Sequence, residues 1–305
     1  MPLIPLDALS EGGLNVPVSE APSYNDFSPP AHLGASRYRH KLPSGEHFDA
    51  LLVNKGADVL VVTLHGATDR AKTKLPRFER VRTMTTYGVS SMHFADPALW
   101  RNERIQLAWY TGWGDIDVHR MIADWSVVAA HAIGASRIVF TGASGGGFAA
   151  LQVSALVPGS LCLPFNPQTS VYGYLVNGTL WGAQRTYQQV VWPGQAPNGV
   201  NENEDWTASL DDRVSPLRRY SQPLQNYVLF VINRNEFHYQ DHYFPWLAAA
   251  ARGGNLERVR AVEYAGGTVH NPPTQQVFSE GMDKALNWVR ELPPCITSET
   301  SHTSN

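Results

Sequence analysis

Ser144 is the residue of this chain whose surroundings point most directly to chemistry, because it stands in the sequence Gly142-Ala143-Ser144-Gly145-Gly146. A serine hydroxyl is a poor nucleophile unless a tight turn exposes it beside a base that can take its proton. Glycines suit such a turn, since the flanking strand and helix pass too closely for Cβ atoms. The G-x-S-x-G spacing therefore predicts a nucleophilic serine. An idle serine in a glycine-rich turn is the alternative; phosphate binding is disfavoured because the P-loop lysine and the G-x-G-x-x-G spacing are absent.

The elements on either side of Ser144 support a strand-turn-helix unit. The apolar segment Arg137–Thr141 is typical of a buried strand, and the small residues of Phe148–Val157 predict a helix. Such a helix directs its free N–H groups at the serine. The backbone N–H of Gly145 is thus the first candidate donor to the oxyanion of a tetrahedral intermediate.

A second oxyanion donor is expected after another central strand. The run Val59–Leu64 is hydrophobic on both of its alternating faces, as in a strand covered by helices on two sides, and it ends at His65-Gly66-Ala67. The backbone N–H of Ala67 is our choice for the second donor. His65 is expected to hold this bend by hydrogen bonds rather than to touch substrate.

His270 is the candidate base. It lies in a loop six residues beyond the predicted strand Val259–Tyr264, between a pair of glycines and a pair of prolines that starts the last helix. A base that follows the nucleophile in the chain and stands after the last strand fits a serine-acid-histidine order. A surface histidine without a role is the alternative.

The acid that would orient His270 is expected after the predicted strand Asn226–Ile232. Glu236 is preferred because it lies close to the strand end, where the sheet fixes side chains best. Asp241 in the same loop is the alternative acid. If neither serves, the remaining aspartates between Ser144 and His270 are Asp205, Asp211 and Asp212.

His238 and His242 lie in the same loop as these carboxylates and raise the possibility of a metal cluster. No H-E-x-x-H or comparable spacing supports one. We therefore expect neither a metal nor a cofactor.

Composition indicates one large globular domain. The 305 residues are 43% hydrophobic and 17% charged, and no linker divides the middle of the chain. We expect a domain at 36–292, with a poorly ordered segment 1–35 and a flexible tail 293–305. The irregular region 170–223, rich in Trp, Tyr and Asn, is a candidate lid.

The charge balance and the N-terminus limit the classes of partner. A formal net charge of −3 gives no basic field for nucleic acid. No apolar run reaches the roughly 18 residues that span a bilayer, and the first residues lack the features of a signal peptide, so a cytoplasmic protein is expected. The cysteines, Cys162 and Cys295, do not indicate a disulfide framework.

Strand-like and helix-like segments alternate from about Tyr38 onward, which predicts an α/β protein with a mainly parallel central sheet and helices on both faces. The segments Ser36–Lys41 and His47–Val53 predict an antiparallel hairpin at the sheet edge. Asp117 predicts the cap of a helix that ends at Gly134.

Taken together, the bend at His65-Gly66-Ala67, the turn at Ser144, the acid loop and His270 resemble the α/β-hydrolase superfamily over approximately Ser36 to Arg290. The segments Phe94-Ala95-Asp96-Pro97 and Trp109-Tyr110-Thr111-Gly112 and the acid loop are also similar to hydrolase-like accessory proteins of bacterial glycoprotein secretion and other glycan-associated hydrolases. Those relatives usually carry aspartate where this chain has glutamate.

The resemblance implies an α/β-hydrolase fold with an irregular lid insertion, and a serine hydrolase acting on a carboxylic ester. In that reading Ser144 attacks the carbonyl, His270 transfers the proton and Glu236 orients His270. The expected substrate is a small-molecule or glycan ester, with an O-acyl group on a carbohydrate as one candidate. Acyl transfer by the same residues, and a non-catalytic partner of a glycosyltransferase or secretion complex, are the alternatives.

Overall fold

One sheet of nine strands organises the computed structural model, which describes residues 3–176, 179–180, 182–195 and 204–297. In chain order the strands of the described residues are β1 (Val18–Glu20), β2 (Gly34–Lys41), β3 (His47–Asn54), β4 (Val59–Leu64), β5 (Ser90–Phe94), β6 (Arg137–Ala143), β7 (Leu161–Phe165), β8 (Leu175–Val176), β9 (Thr179–Leu180), β10 (Tyr227–Asn233) and β11 (Val259–Tyr264). The order in the main sheet is β1-β2-β3-β5-β4-β6-β7-β10-β11, and β8 pairs only with β9. All neighbours from β5 to β11 are parallel.

Helices cover both faces of this sheet. They are α1 (Val81–Thr85), α2 (Val118–Ile133), α3 (Gly145–Ser154), α4 (Gly182–Val191), α5 (Pro216–Tyr220), α6 (Phe244–Arg252) and α7 (Gln275–Glu291). The alternating residues of β4 show why two layers are needed. Leu60 and Val62 belong to the core shared with α2 and α3, whereas Val59 and Val61 pack with the apolar face of α7. The continuous hydrophobic run of β4 is therefore buried on both sides.

The N-terminal segment 3–33, which the sequence predicts to be loosely held, is attached to the sheet. Strand β1 pairs in parallel with β2, and Ile4 forms a bridge to Ala35. Phe27 is buried and stacks on Trp125 of α2. The predicted hairpin forms as β2 and β3, but its expected place at the sheet edge is wrong, because β1 covers β2.

Two helix ends follow the sequence closely, and one differs. The Asp117 side chain accepts a hydrogen bond from the Arg120 N–H at the start of α2, and Gly134 ends that helix with φ of 74°. By contrast, α3 begins at Gly145, three residues before the predicted start. The glycines from Gly145 onward already belong to the helix, at positions where a Cβ would lie too close to neighbouring segments.

The region between β7 and β10 holds β8, β9, α4 and α5. Parts of the predicted lid, 177–178, 181 and 196–203, and the part 298–305 of the predicted tail lie outside the described residues. Within the described ranges, no helix has the length and apolar character to cross a membrane.

Candidate active site

Ser144 occupies a sharp turn between β6 and α3. Its backbone has φ of 56° and ψ of −120°, a conformation that an L-residue adopts only when its surroundings enforce it. A Cβ at Gly146 would lie 2.1 Å from the carbonyl oxygen of Leu64, and one at Gly142 would lie 2.5 Å from the Gly146 carbonyl oxygen. The glycines thus let β4, β6 and α3 converge, while the Ser144 side chain lines an open cavity.

His270 lies between Ser144 and Glu236. Its Nε2 is 2.9 Å from the Ser144 Oγ, and its Nδ1 is 3.1 Å from Glu236 Oε2. The glutamate side chain is 1% exposed and the histidine side chain 19%. The structure therefore brings the predicted nucleophile, base and preferred acid into one hydrogen-bonded line.

Asn233, the last residue of β10, fastens the loop that carries His270. Its Oδ1 accepts from the Gly266 N–H at 2.8 Å, and its Nδ2 donates to the Gly267 carbonyl at 2.7 Å. Asn235 adds a bond from its Nδ2 to the Gly266 carbonyl at 2.7 Å. The acid loop and the histidine loop are consequently held against each other by side-chain amides.

The alternative acids lie elsewhere. Asp241 is exposed in a π-helical turn, and within the described residues no hydrogen bond or ion pair joins it to His270. Of the three aspartates between β9 and β10, Asp205 accepts from Thr207 and Asp211 accepts from Arg213 through their carboxylates. The main-chain carbonyl of Asp212 accepts from Gln152.

The predicted oxyanion donors flank the nucleophile. Gly145 is the first residue of α3, where a backbone N–H has no helical partner. Ala67 lines the cavity beside Ser144, and a Cβ added at its neighbour Gly66 would lie 3.6 Å from the Ser144 Cβ. Ala67 thus borders the space in front of Ser144, Gly145 follows Ser144 in the chain, and their role as oxyanion donors stays a prediction.

His65 holds the bend, as the sequence predicts. Its Nδ1 donates to the Gly66 carbonyl at 2.8 Å, and its Nε2 accepts from the Asp96 N–H at 3.2 Å. Burial, with a smaller contribution from the charge of Arg77, lowers the pKa of His65 to about 3. The ring is therefore neutral near pH 7, which agrees with the tautomer that these two bonds require.

Gln168 is a residue of this site that the sequence analysis did not identify. Fully buried just beyond β7, it donates from Nε2 to the Ser144 Oγ at 2.8 Å, and the same nitrogen lies 3.0 Å from His238 Nε2. The Trp109 indole donates to Gln168 Oε1 at 3.2 Å. Because an indole N–H can only donate, this contact fixes which end of the amide faces Ser144.

These contacts determine which atoms of Ser144 and His270 carry protons. Since the Gln168 amide donates to Ser144, the serine hydroxyl is left to donate to His270 Nε2. His270 then carries its own proton on Nδ1, which donates to Glu236. This is the tautomer in which a histidine accepts the proton of a nucleophilic serine.

Two further histidines stand behind His270. The His238 ring stacks on it with centroids 4.0 Å apart, and both His238 and His242 are buried. Burial, reinforced by the neighbouring imidazoles, lowers the pKa of His238 well below its usual range and that of His242 to about 3. Both rings are consequently neutral near pH 7.

The residues that could bind a metal differ from those considered in the sequence analysis, because His270 takes the place of His242. Within the described residues, the ligand atoms of Glu236, His238 and His270 lie within 4.8 Å of one another, so these three could hold an ion. His270 is also the residue that contacts Ser144, and Glu236 contacts the other ring nitrogen of His270. A metal bound through His270 Nδ1 would replace the Glu236 contact.

The cavity in front of Ser144 has a volume of about 630 Å³. Residues of the predicted lid, Tyr174 and Val176, form part of its wall together with Phe237. An arginine-containing segment after β4 and the aromatic ring of Phe278 form another part. The space is large enough for a small organic ester.

No family model and no curated protein sequence matches the chain. Solved structures do. The glycosylation associate protein (Gap123) complex of Streptococcus agalactiae has a TM-score of 0.60 at 14% identity over 84% of this chain and 46% of that one, so the present chain spans less than half of its length. Carboxyl esterase 2 of Tuber melanosporum has a TM-score of 0.56 at 14% identity over 94% and 95% of the two chains. The chain has the α/β-hydrolase fold. Capsule O-acetyltransferase of Neisseria meningitidis serogroup A is also similar, with a TM-score of 0.54 at 13% identity over 81% and 95% of the chains.

Proposed function

We propose that the protein is a serine hydrolase that cleaves a carboxylic ester. The observation that carries the proposal is the position of His270, whose two ring nitrogens lie 2.9 Å from Ser144 Oγ and 3.1 Å from Glu236 Oε2. The cavity in front of these atoms supplies the space for a substrate.

The reaction follows from the proton positions. Ser144 Oγ attacks the ester carbonyl carbon while its proton passes to His270 Nε2. The N–H groups of Gly145 and Ala67 donate to the oxyanion, and Glu236 stabilises the imidazolium. The tetrahedral intermediate expels the alcohol, which takes the proton from His270. Water, deprotonated by the same imidazole, then releases the acid and restores Ser144.

Acyl transfer is the second candidate, favoured by the similarity to a capsule O-acetyltransferase. In that reaction the alcohol of an acceptor attacks the acyl-serine in place of water. An O-acyl group on a carbohydrate is a substrate class consistent with both candidates, and the region 170–223 would act as the lid over it. A non-catalytic role in a glycosyltransferase or secretion complex is the third, favoured by the similarity to a glycosylation associate protein complex.

Labelling with a fluorophosphonate tests the proposal directly, because the probe reacts only with an activated serine. Mass spectrometry should find the phosphonate on the peptide that contains Ser144, and Ser144→Ala should abolish labelling. Ser209→Ala, a change at an exposed serine, is the matched control and should label like the wild type. A folded wild-type protein that remains unlabelled would contradict a serine hydrolase or acyltransferase.

Product analysis separates the two catalytic candidates. With an acetyl ester, a hydrolase gives acetate at a rate that an added glycan acceptor does not change. A transferase gives an acetylated glycan, and the amount of free acetate falls accordingly.

A further inference from the structure

Arg80 is a cation in the wall of the active-site cavity that the proposed reaction does not use. Its guanidinium carbon lies 3.7 Å from the centroid of the Phe278 ring, so the flat face of the cation stacks on the aromatic side chain of α7. In such a stack the N–H groups point outward in the plane of the guanidinium and stay free for an acceptor.

The backbone around Arg80 is fixed by buried groups. The carbonyl of Glu79 accepts from the Thr63 hydroxyl at 3.0 Å and from the ring of His93 at 2.9 Å. Arg80 itself has φ of 57°, and its carbonyl accepts from the Met84 N–H at 2.9 Å as α1 begins. The cation is therefore held in place before any ligand arrives.

The neighbouring arginine shows the contrast. Arg77 donates to the Ala67 carbonyl at 2.8 Å and to the Thr68 hydroxyl at 3.1 Å, and it forms an ion pair with Glu79 at 2.5 Å. The Arg80 guanidinium has no hydrogen bond and no ion pair with any residue in the described part of the chain.

The charges of this wall leave an excess of positive charge. The cavity lining contains two arginines and one glutamate, and the glutamate is the partner of Arg77. Burial lowers the pKa of Arg80 from its ordinary value, against the opposing effect of Glu79. A partly buried cation without a protein partner favours an anionic ligand, because the ligand offsets the lost hydration.

The stack also connects this cation to the nucleophile. The Phe278 ring stacks on Phe165 with centroids 5.2 Å apart, and the Phe165 carbonyl accepts from the Ser144 N–H at 2.9 Å. Arg80 and Ser144 also line the same cavity, so a single substrate can contact both.

We infer that Arg80 binds an oxyanionic group of the substrate, a carboxylate, sulfate or phosphate located several bonds from the ester that Ser144 attacks. The inference rests on the proposed function, and it adds the chemical class of the substrate, which is an ester that carries a negative charge. The guanidinium fork fits two oxygens of such a group at once.

Two pairs of esters test this inference, each pair differing in one charge. 4-Acetoxybenzoate and its methyl ester place the charge on the alcohol side. Mono-4-nitrophenyl glutarate and 4-nitrophenyl butyrate place it on the acyl side. The measured quantity is the ratio of kcat/KM for the anionic ester to that for the neutral one, so that the intrinsic reactivity of each ester cancels between variants.

Arg80→Met should lower this ratio about 10- to 100-fold in at least one pair, the effect expected for hydrogen bonds between charged groups. Arg80→Lys, which keeps the charge and loses the fork, should lower it less. Arg82→Met removes an arginine whose side chain is 77% exposed, and it should leave the ratio at the wild-type value. Equal ratios for Arg80→Met and the wild type in both pairs would overturn the inference.

Calorimetry with uncleavable amide analogues separates this inference from the proposed function. The probes are 4-acetamidobenzoate and glutaric acid mono-4-nitroanilide, titrated into the wild type and into Arg80→Met. Binding that depends on Arg80 in a protein that cleaves no ester would support the anion site and contradict the hydrolase. Ester cleavage with neither ratio nor binding dependent on Arg80 would contradict the anion site alone. Absence of both binding and cleavage would overturn both.

Discussion

Replacing Glu236 by glutamine should separate the electrostatic role of the acid from its shape. The side chain keeps its size, and its buried position beside His270 is retained. An amide can present its NH₂ group to His270 Nδ1, which moves the histidine proton to Nε2 and directs it at Ser144. In that tautomer the imidazole cannot accept the serine proton.

The distance between His270 and Glu236 determines the expected loss of turnover. Opposite charges 3.1 Å apart, as His270 Nδ1 and Glu236 Oε2 are, attract each other by about 5 kcal/mol at an effective dielectric constant of about 20. At about 1.4 kcal/mol per factor of ten, loss of this attraction in the transition state slows turnover by about 10⁴-fold. The serine-protease triad shows a defect of the same order for the corresponding change.

The assay is hydrolysis of 4-nitrophenyl acetate by Glu236→Gln, with Asp241→Asn as the matched control. The control removes one carboxylate from the same loop, at an exposed position without a contact to His270. Its kcat should equal that of the wild type. A Glu236→Gln enzyme within about threefold of the wild type, or a larger loss in Asp241→Asn, would refute the assignment of the acid.

Four further outcomes are expected. Ser144→Ala should lower kcat by at least about 10³-fold without lowering the unfolding temperature, as measured by circular dichroism; retained ester hydrolysis would contradict the mechanism. Gln168→Met should lower kcat about tenfold and also lower the unfolding temperature, because two buried ring nitrogens lose their partner; an unchanged kcat would show that the amide does not hold the serine. Dialysis against EDTA should leave the rate unchanged, and a loss that zinc restores would indicate a metal enzyme. The unfolding temperature should fall as the pH is lowered from 7 to 5. Burial lowers the pKa values of His93 and His242 to about 4 and about 3, so the unfolded chain binds more protons than the folded one in this range. Burial raises the pKa of Asp96 to about 6, which opposes the loss of stability only in part.

The fold predicted from the sequence is confirmed, because the information for it is local. A continuous apolar run such as Val59–Leu64 can be stable only between two layers of helices, and the glycines around Ser144 mark a close approach of strand and helix. The line from Ser144 through His270 to Glu236 was also accessible, since each residue follows a recognisable strand. Their catalytic roles stay a prediction.

Gln168 and Arg80 were missed for a different reason. Gln168 follows β7, and it contacts Ser144 because β7 pairs with β6. The sequence does not reveal which strands are neighbours in the sheet. Arg80 meets Phe278 across most of the chain, and neither residue belongs to a motif. The strand β1 escaped detection because its three residues are too few to show a periodic pattern. For Gln168 and Arg80 the missing information was the order of elements in space.

The site is assembled from segments that are far apart along the chain, and this has a consequence for protein synthesis. Ser144 contacts a base 126 residues further on, and the Phe278 ring under Arg80 belongs to the last helix. Contacts of such long sequence separation form late, because the intervening chain must be ordered first. A ribosome-bound chain that ends before β11 and α7 therefore lacks both His270 and Phe278. The contact of Ser144 with His270 and the stack of Arg80 on Phe278 therefore form only after the residues through α7 have been synthesised and folded.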